Sequence, residues 1–400
     1  MSNKSANDLK QQVRTFVDAS AAELVSISRA IHAQPELAFA EFEACALLAN
    51  ATRRAGMATT DHAGGLPTAF DARTGSKDGA TIALFAEYDA LPGIGHACGH
   101  NLIATSALGA ALALHSVRGA LGGRVCLIGT PAEEKGGGKE VMARNGAFDG
   151  IDAALMIHPA GVNLATMPCI CVAEVEVTYV GRAAHASAMP HKGLNALDAL
   201  LLAYQAISNL RQHIKSTQRI HGIITKGGDA PNIVPALTTG EFYVRAANAR
   251  DLALLKPRVQ ACFTAGATAT GCTVNVEWGD VDYLDLNTNW PLAEHFQANA
   301  EQLGRQFIPM SKFGTSGAGS TDMGNISYRM PAIHPMLAAA PRDVVIHHPD
   351  FAHWAGSEMG DLAALDGAKA LAMTAIDYLT SESLRAECRK AFGMTKHLAV

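Results

Sequence analysis

The sequence predicts an α/β protein. One domain, with helices around a mostly parallel sheet, is interrupted by a smaller split-βαβ (ferredoxin-like) domain. Two observations carry this reading. As far as residue 172, short apolar runs alternate with helical patterns, and strand–helix–strand alternation builds a parallel sheet covered by helices. Beyond residue 172 the order becomes β-α-β-β-α-β, that of a small open-faced sandwich. The expected division is 1–172 with 284–400 for the outer domain and 173–283 for the insert.

The elements follow in chain order. Residues 8–55 read as helical, with Val13, Phe16, Val17, Leu24, Ile27 and Ile31 at helical spacing. Gln34-Pro35-Glu36 breaks the pattern, and a second helix starts after Ala38. TIALFA at 81–86 is a buried strand, 102–117 a helix, RVCLIG at 124–129 a strand, 139–145 a helix and DAALMI at 152–157 a strand. Val175, Val177 and Tyr179 then alternate with polar residues, which marks a half-exposed strand. A helix at 194–214, strands at 220–226 and 240–247, a helix at 250–267 and a strand at 272–278 complete the insert. After Tyr283 helical and buried-strand patterns return, ending in a helix at 362–379.

Composition narrows the function. With 400 residues, 48% hydrophobic and 17% charged, the chain is read as soluble and globular, with ample core for two or three domains. Lys and Arg total 32 against 37 acids, a charge of −5 without a basic block, which argues against nucleic acid. The longest apolar-rich stretch, 102–114, is broken by Ser106 and Gly109 and is too short to span a bilayer. The polar start, MSNKSANDLK, lacks an apolar signal core and predicts a cytoplasmic protein. Eight scattered cysteines form no CxxC pair, so most read as small buried apolar residues in a reducing compartment. Sixteen histidines are many for this length and direct attention to a metal or acid–base site.

Three predicted core strands end in chemistry-bearing residues. The first ends in Glu87-Tyr88-Asp89, the second runs into Glu133-Glu134, and the third ends at His158-Pro159. Ligand sites of open α/β sheets lie outside the carboxyl ends of the strands, so these residues converge on one crevice. Between the first two strands stands GHACGHN at 95–101, which puts His96, Cys98 and His100 within five residues. Thiolate and imidazole suit zinc and similar divalent metals. The alternative is a loop with surface histidines and a buried cysteine. Adjacent residues of an extended segment point to opposite sides, so Glu133 and Glu134 can divide into a metal ligand and a general base. The alternative is a solvated acidic turn. His158 and the pair His347-His348 are further strand-end candidates, although His158 could simply cap its strand. His185, in the insert, has either a substrate contact or a place in a surface loop. The glycine-rich run 314–322 lacks the GK[ST] ending of a phosphate loop and reads as a flexible or close-packed loop near the cleft.

Together these segments resemble the dinuclear metal-dependent amidohydrolase and exopeptidase family that includes aminoacylases, carboxypeptidase G and aminobenzoyl-glutamate hydrolases. The branch resembled most is that of aminobenzoyl-glutamate hydrolase subunits and aminoacylase-like dipeptidases. The resemblance rests on IHAQPEL at 31–37, EYDALP at 87–92, GHACGHN at 95–101, GTPAEE at 129–134, residues 181–187, NIVP at 232–235, GSTDMG at 319–324 and HHPDF at 347–351. It implies a metallopeptidase-type catalytic domain interrupted by a lid and dimerisation domain. Cys98 would bridge two divalent metals, where most of the family has Asp. His100, Glu134, His158 and His347 would complete the sites, with zinc or manganese, or else cobalt or nickel. Glu133 would be the general base and Asp89 the orienting acid. His185 would act across a homodimer, and Asn232 and Arg245 would hold a substrate carboxylate. The implied reaction is hydrolysis of an N-acyl or N-aroyl amino acid by a metal-activated water. A dipeptidase or carboxypeptidase, a cysteine hydrolase using Cys98, a structural zinc site and a non-catalytic metal-binding subunit stand as alternatives. Two departures are Glu87, where much of the family has His, and Asn101, where many cysteine-loop relatives have Asp. The adjacency of His347 and His348 leaves the last ligand open between them.

Overall fold

The computed structural model describes residues 5–313 and 319–395. Its strands are β1 (Ala58–Asp61), β2 (Phe70–Gly75), β3 (Thr81–Ala86), β4 (Arg124–Gly129), β5 (Ala153–Leu155), β6 (His158–Ala160), β7 (Cys171–Val180), β8 (Arg219–Lys226), β9 (Leu237–Ala246), β10 (Thr273–Trp278), β11 (Ala332–Ile333) and β12 (Met336–Ala338). Two compact units result. Cys169–Asp285 forms one; among the described residues, the chain through Pro168 and from Leu286 to Thr395 forms the other.

The outer unit carries a six-stranded sheet in the order β1-β2-β4-β3-β5-β11. β4, β3, β5 and β11 run parallel, while β1 and β2 add an antiparallel edge. β3 is buried at all six positions, which is why it is apolar throughout rather than alternating. The helix His100–Ser116 is buried along nearly its whole length. It packs on the sheet and on the helix Glu358–Thr380. A helix apolar on all sides is one enclosed by its neighbours. Gly109 permits the approach: a Cβ there would lie 2.9 Å from the Cβ of Ala368. The insert is a four-stranded antiparallel sheet, β10-β7-β9-β8, with the helices Ala196–Leu210 and Ala249–Thr270 packed on it. Along β7, Val175, Val177 and Tyr179 are buried and Glu174 and Glu176 exposed.

Several local expectations need correction. The run 152–157 is not one strand ending at His158. β5 stops at Leu155, and His158 opens β6, which pairs in parallel with β12 in a separate two-stranded sheet. The apolar run 343–346 is not a strand: a turn closes it with Val344 N–H donating to Pro341 C=O, and Val345 is 64% exposed. The N-terminal helical region divides into Ala6–Ala19 and Ala21–Ala33, and the next helix begins at Phe42. β1 and β2, too polar for the apolar-run criterion, and the last helix, Glu382–Thr395, were not anticipated.

Asp377 ties three helices of the outer unit together. It pairs with Lys10 Nζ at 2.6 Å and accepts from Asn299 Nδ2 at 2.9 Å. Burial alone would raise its carboxyl, but His295, Lys10 and Asn299 hold it below the usual range. Asp377→Ala is expected to lower unfolding free energy by about 3 kcal/mol near pH 7, read from urea titrations, because Lys10 loses its buried partner. The folded pKa lies below the unfolded one, near about 4. The carboxylate's contribution is therefore complete above that value and lost as pH falls through the folded one. The gap between the two proteins should close in acid.

Candidate metal centre

The carboxyl ends of β3 and β4 and the segment after β5 deliver the site. Cys98 and His100 come from the loop that opens the helix His100–Ser116. Gly99 makes that turn at φ +81°, and a Cβ there would meet the Pro159 ring at 2.6 Å. Asp89 lies beneath the loop, 1% exposed. One of its oxygens accepts from His100 Nδ1 at 3.0 Å and the other from the Glu134 backbone N–H at 2.9 Å. The first bond orients the His100 ring and leaves Nε2 facing the site. His158 is oriented likewise, Nδ1 donating to Pro159 C=O at 2.7 Å.

Among the described residues the donor atoms fall into three triads: two share Cys98, and the third is Glu87, His100 and Glu133. Of the two that share Cys98, one is completed by His100 and His158 and the other by Glu134 and His347, the atoms of each triad lying within 4.8 Å of one another. Cys98 Sγ is 3.3 Å from His158 Nε2, and His347 Nε2 is 3.4 Å from Glu134 Oε2. Tetrahedral coordination at about 2.0–2.3 Å needs ligand atoms separated by about 3.3–3.8 Å. Among the described residues, His100 Nε2, Glu134 Oε1 and Glu87 Oε2 are buried without a hydrogen-bond partner. Each such atom costs about 1–3 kcal/mol. His100 Nε2 lies 3.8 Å from Glu134 Oε1 and 3.7 Å from Glu87 Oε2, so the orphaned atoms face one small space. The residues fit divalent cations.

Electrostatics divide the ligands: burial pushes the Cys98 thiol up, and against burial Cys98 and Asp89 raise His100, so a cation would displace protons at both. Burial, then His100, pushes His158 down to about 3, which keeps it a neutral ligand. Burial and the neighbouring carboxylates Glu87 and Glu134 hold Glu133 well above the usual carboxylate range, a group primed to take up a proton. Burial would also raise Asp89, but His100 and the Glu134 N–H keep it low.

His347, at φ +64°, donates its N–H to Ala97 C=O at 2.9 Å and so faces the cluster from a loop. His348 instead accepts from Asp350 N–H at 3.3 Å and caps the helix Pro349–Ala355. The other three candidates belong to the insert. His185 pairs with Ile233, and Ala186 N–H donates to Asn232 C=O at 3.0 Å, so the two segments run side by side. Arg245 lies on β9, its guanidinium 5.7 Å from the centre of the Tyr243 ring.

Sequence reasoning missed Lys139 and Asp322. Lys139 is fully buried and bridges Glu87 and Asp322, the latter at 2.8 Å. Burial raises Asp322 to about 6 even beside this ammonium. Within the glycine-rich run, residues 314–318 lie outside the described residues. No local signal marks Lys139: its helix, Gly138–Arg144, also carries Glu140 and Arg144, and the acids that hold it are remote in sequence.

Fold and site together define a metal-dependent hydrolase. Residues 83–356 match peptidase family M20/M25/M40, and the chain belongs to this family. It is 41% identical over 398 residues to the Xaa-Arg dipeptidase of Mus musculus, across 96% of this chain and 92% of that protein. It is 29% identical to a p-aminobenzoyl-glutamate hydrolase subunit of Escherichia coli (strain K12), across 95% of each. A dinuclear metal binding peptidase of the M20 family from Bacillus subtilis has the same fold. Its TM-score is 0.70 at 21% identity, over 91% of this chain and 99% of that one. The protein is therefore a hydrolase of amide or peptide bonds.

Asp89→Asn should weaken metal binding by about 10–100-fold, measured by chelator competition, because His100 loses the bond that orients it. Metal removal should also lower the melting temperature, since ions binding only the folded chain stabilise it.

Proposed function

We propose that this protein hydrolyses the amide bond of a small N-acyl amino acid or dipeptide with a free carboxylate, using two divalent metal ions per subunit. The observation that carries the reading is the pair of donor triads sharing Cys98, with Glu133 buried beside them, 3.7 Å from His100 Nε2. Storage or structural sites need ligands but no base, and structural zinc sites are closed Cys-rich tetrahedra. A dipeptide with a basic C-terminal residue is the first substrate class to test, given the 41% identity to an Xaa-Arg dipeptidase. An aroyl-glutamate is the second.

Cys98, His100, Glu134, His158 and His347 would hold the ions, zinc or manganese before cobalt or nickel. Bound there, they would polarise the scissile carbonyl and make a water acidic. Glu133 takes the water's proton and returns it to the leaving amine. Asp89 keeps His100 and the Glu134 peptide in place. His185 stabilises the developing oxyanion from a partner subunit, and Asn232 and Arg245 hold the substrate carboxylate. The insert acts as lid and dimerisation domain. The outer strand β8, with Ile223 63% exposed and Ile224 also exposed, and Leu201 and Leu202, exposed on the helix Ala196–Leu210, support a homodimer. A reducing, cytoplasmic setting would keep Cys98 unoxidised, and a bound cation would displace the proton that burial otherwise holds on its thiol. Among the described residues no helix is long and apolar enough to cross a membrane.

Glu133→Gln should lower kcat by about 10³-fold or more while metal content, read by elemental analysis, stays unchanged. Full activity would remove Glu133 as the base. Chelation should abolish turnover of an alanyl-arginine, alanyl-lysine and aminobenzoyl-glutamate panel, and added metal should restore it. Metal-independent turnover would instead favour a Cys98 nucleophile. Mixing inactive His185→Ala and Glu133→Gln subunits should recover part of the activity. No recovery despite demonstrated subunit exchange would place His185 outside the partner's site.

A further inference from the structure

Glu41 is fully buried, and nothing in the reaction described above uses it. It sits at the N-cap of the helix Phe42–Arg54, where an acidic side chain ordinarily accepts from its own helix. Here it does not. Glu36 does that work, accepting from Glu43 N–H at 3.0 Å and from Ala44 N–H at 2.9 Å. The Glu41 carboxylate turns inward. One oxygen accepts from Thr68 Oγ1 at 2.9 Å, and the other from the Ala132 backbone N–H at 2.8 Å. Thr68 is itself held, its carbonyl accepting from Tyr88 Oη at 2.5 Å.

Ala132 immediately precedes Glu133. It stands at φ +62°, a left-handed conformation that residues with a Cβ rarely take without external restraint. Both of its backbone polar groups are restrained. The N–H goes to Glu41, and the carbonyl accepts from Gly137 N–H at 3.0 Å. On the other side of Glu133, the Glu134 N–H is held by Asp89. Two buried carboxylates thus grip the backbone on either side of the base, although they lie close enough to repel each other.

We propose that Glu41 is a positioning residue for Glu133: by accepting the Ala132 N–H it holds the strained turn that aims the base, as Asp89 does from the other side. The proposal rests on Glu133 as the base, but half of its test does not. Metal-loaded full-length Glu41→Gln and Glu41→Leu proteins are compared with wild type in turnover. The chelator-stripped forms are compared in amide hydrogen exchange of the segment containing Ala132. Leucine removes the acceptor. It should lower kcat by about 10²-fold, the cost of misplacing a catalytic group by about 1 Å. KM should change little, metal content should be kept, and exchange at Ala132 should accelerate. Glutamine keeps an acceptor oxygen and should restore both kcat and protection. Wild-type kcat and protection in Glu41→Leu would overturn the proposal. So would a folded Glu41→Gln as impaired as Glu41→Leu. If Glu41→Leu fails to fold, Glu41→Asp, one methylene short of Ala132, should show the same kcat loss and faster exchange; wild-type behaviour would overturn the proposal. Should Glu133→Gln prove active while Ala132 protection still follows residue 41, the base assignment fails and the clamp stands.

Discussion

Asp89 is the constraint on which the site depends. A single buried carboxylate fixes the His100 ring and the peptide of Glu134, and these belong to different donor triads. It can do so because it follows β3, a central strand buried at every position, and because the helix opened by His100 starts close by. A rigid support is what ligand geometry requires, since metal-binding donors are only as well placed as the groups that bond them. The sheet of the outer unit is in this sense a platform for one carboxylate.

That concentration of charge has a cost, and the fold offsets it locally. Glu87, Asp89, Glu133, Glu134 and Asp322 all come into a space from which water is largely excluded. Carboxylates buried together disfavour ionisation, which is why Glu133 is pushed upward. Asp89 escapes through His100 and a backbone N–H; Asp322 and Glu87 share the Lys139 ammonium. Divalent cations would supply the remaining compensation, and the orphaned atoms of His100, Glu134 and Glu87 face where that charge is missing.

Much of this was legible in the sequence, for identifiable reasons. β3 and β4 announce themselves because parallel strands buried on both faces are apolar without interruption. The insert is legible because β7 alternates and a fixed order of elements follows it. Cys98, His100 and the Glu133-Glu134 pair are close in sequence to strand ends, so local pattern sufficed to gather them as candidates. What failed is what depends on long-range pairing. His158 begins β6 rather than ending a strand, because Met336 of β12 supplies its partner from far along the chain. Val344 and Val345 look like strand residues, but no neighbouring strand takes them, and the positive φ of His347 is not written in its residue type. Lys139 and Glu41 were missed for the same reason. A buried charge is explained only by partners that are remote in sequence: Asp322 lies 183 residues from Lys139, and Ala132 lies 91 from Glu41.

Glu87 shows how one departure from a family pattern becomes intelligible through such partners. A histidine there would be a neutral donor; a glutamate adds a negative charge to a site already rich in them. Lys139 answers that charge by binding Oε1, and Asp322 completes the ammonium's own partners. Held this way, Glu87 is a fixed wall beside His100, with Oε2 at 3.7 Å from its Nε2. One donor set on that side, Cys98, His100 and His158, does not use residue 87, and all three are restrained by neighbours other than Glu87. The substitution, the buried lysine and the histidine at the start of the helix are therefore parts of one arrangement. Changing Glu87 alone would leave a buried ammonium short of one acid.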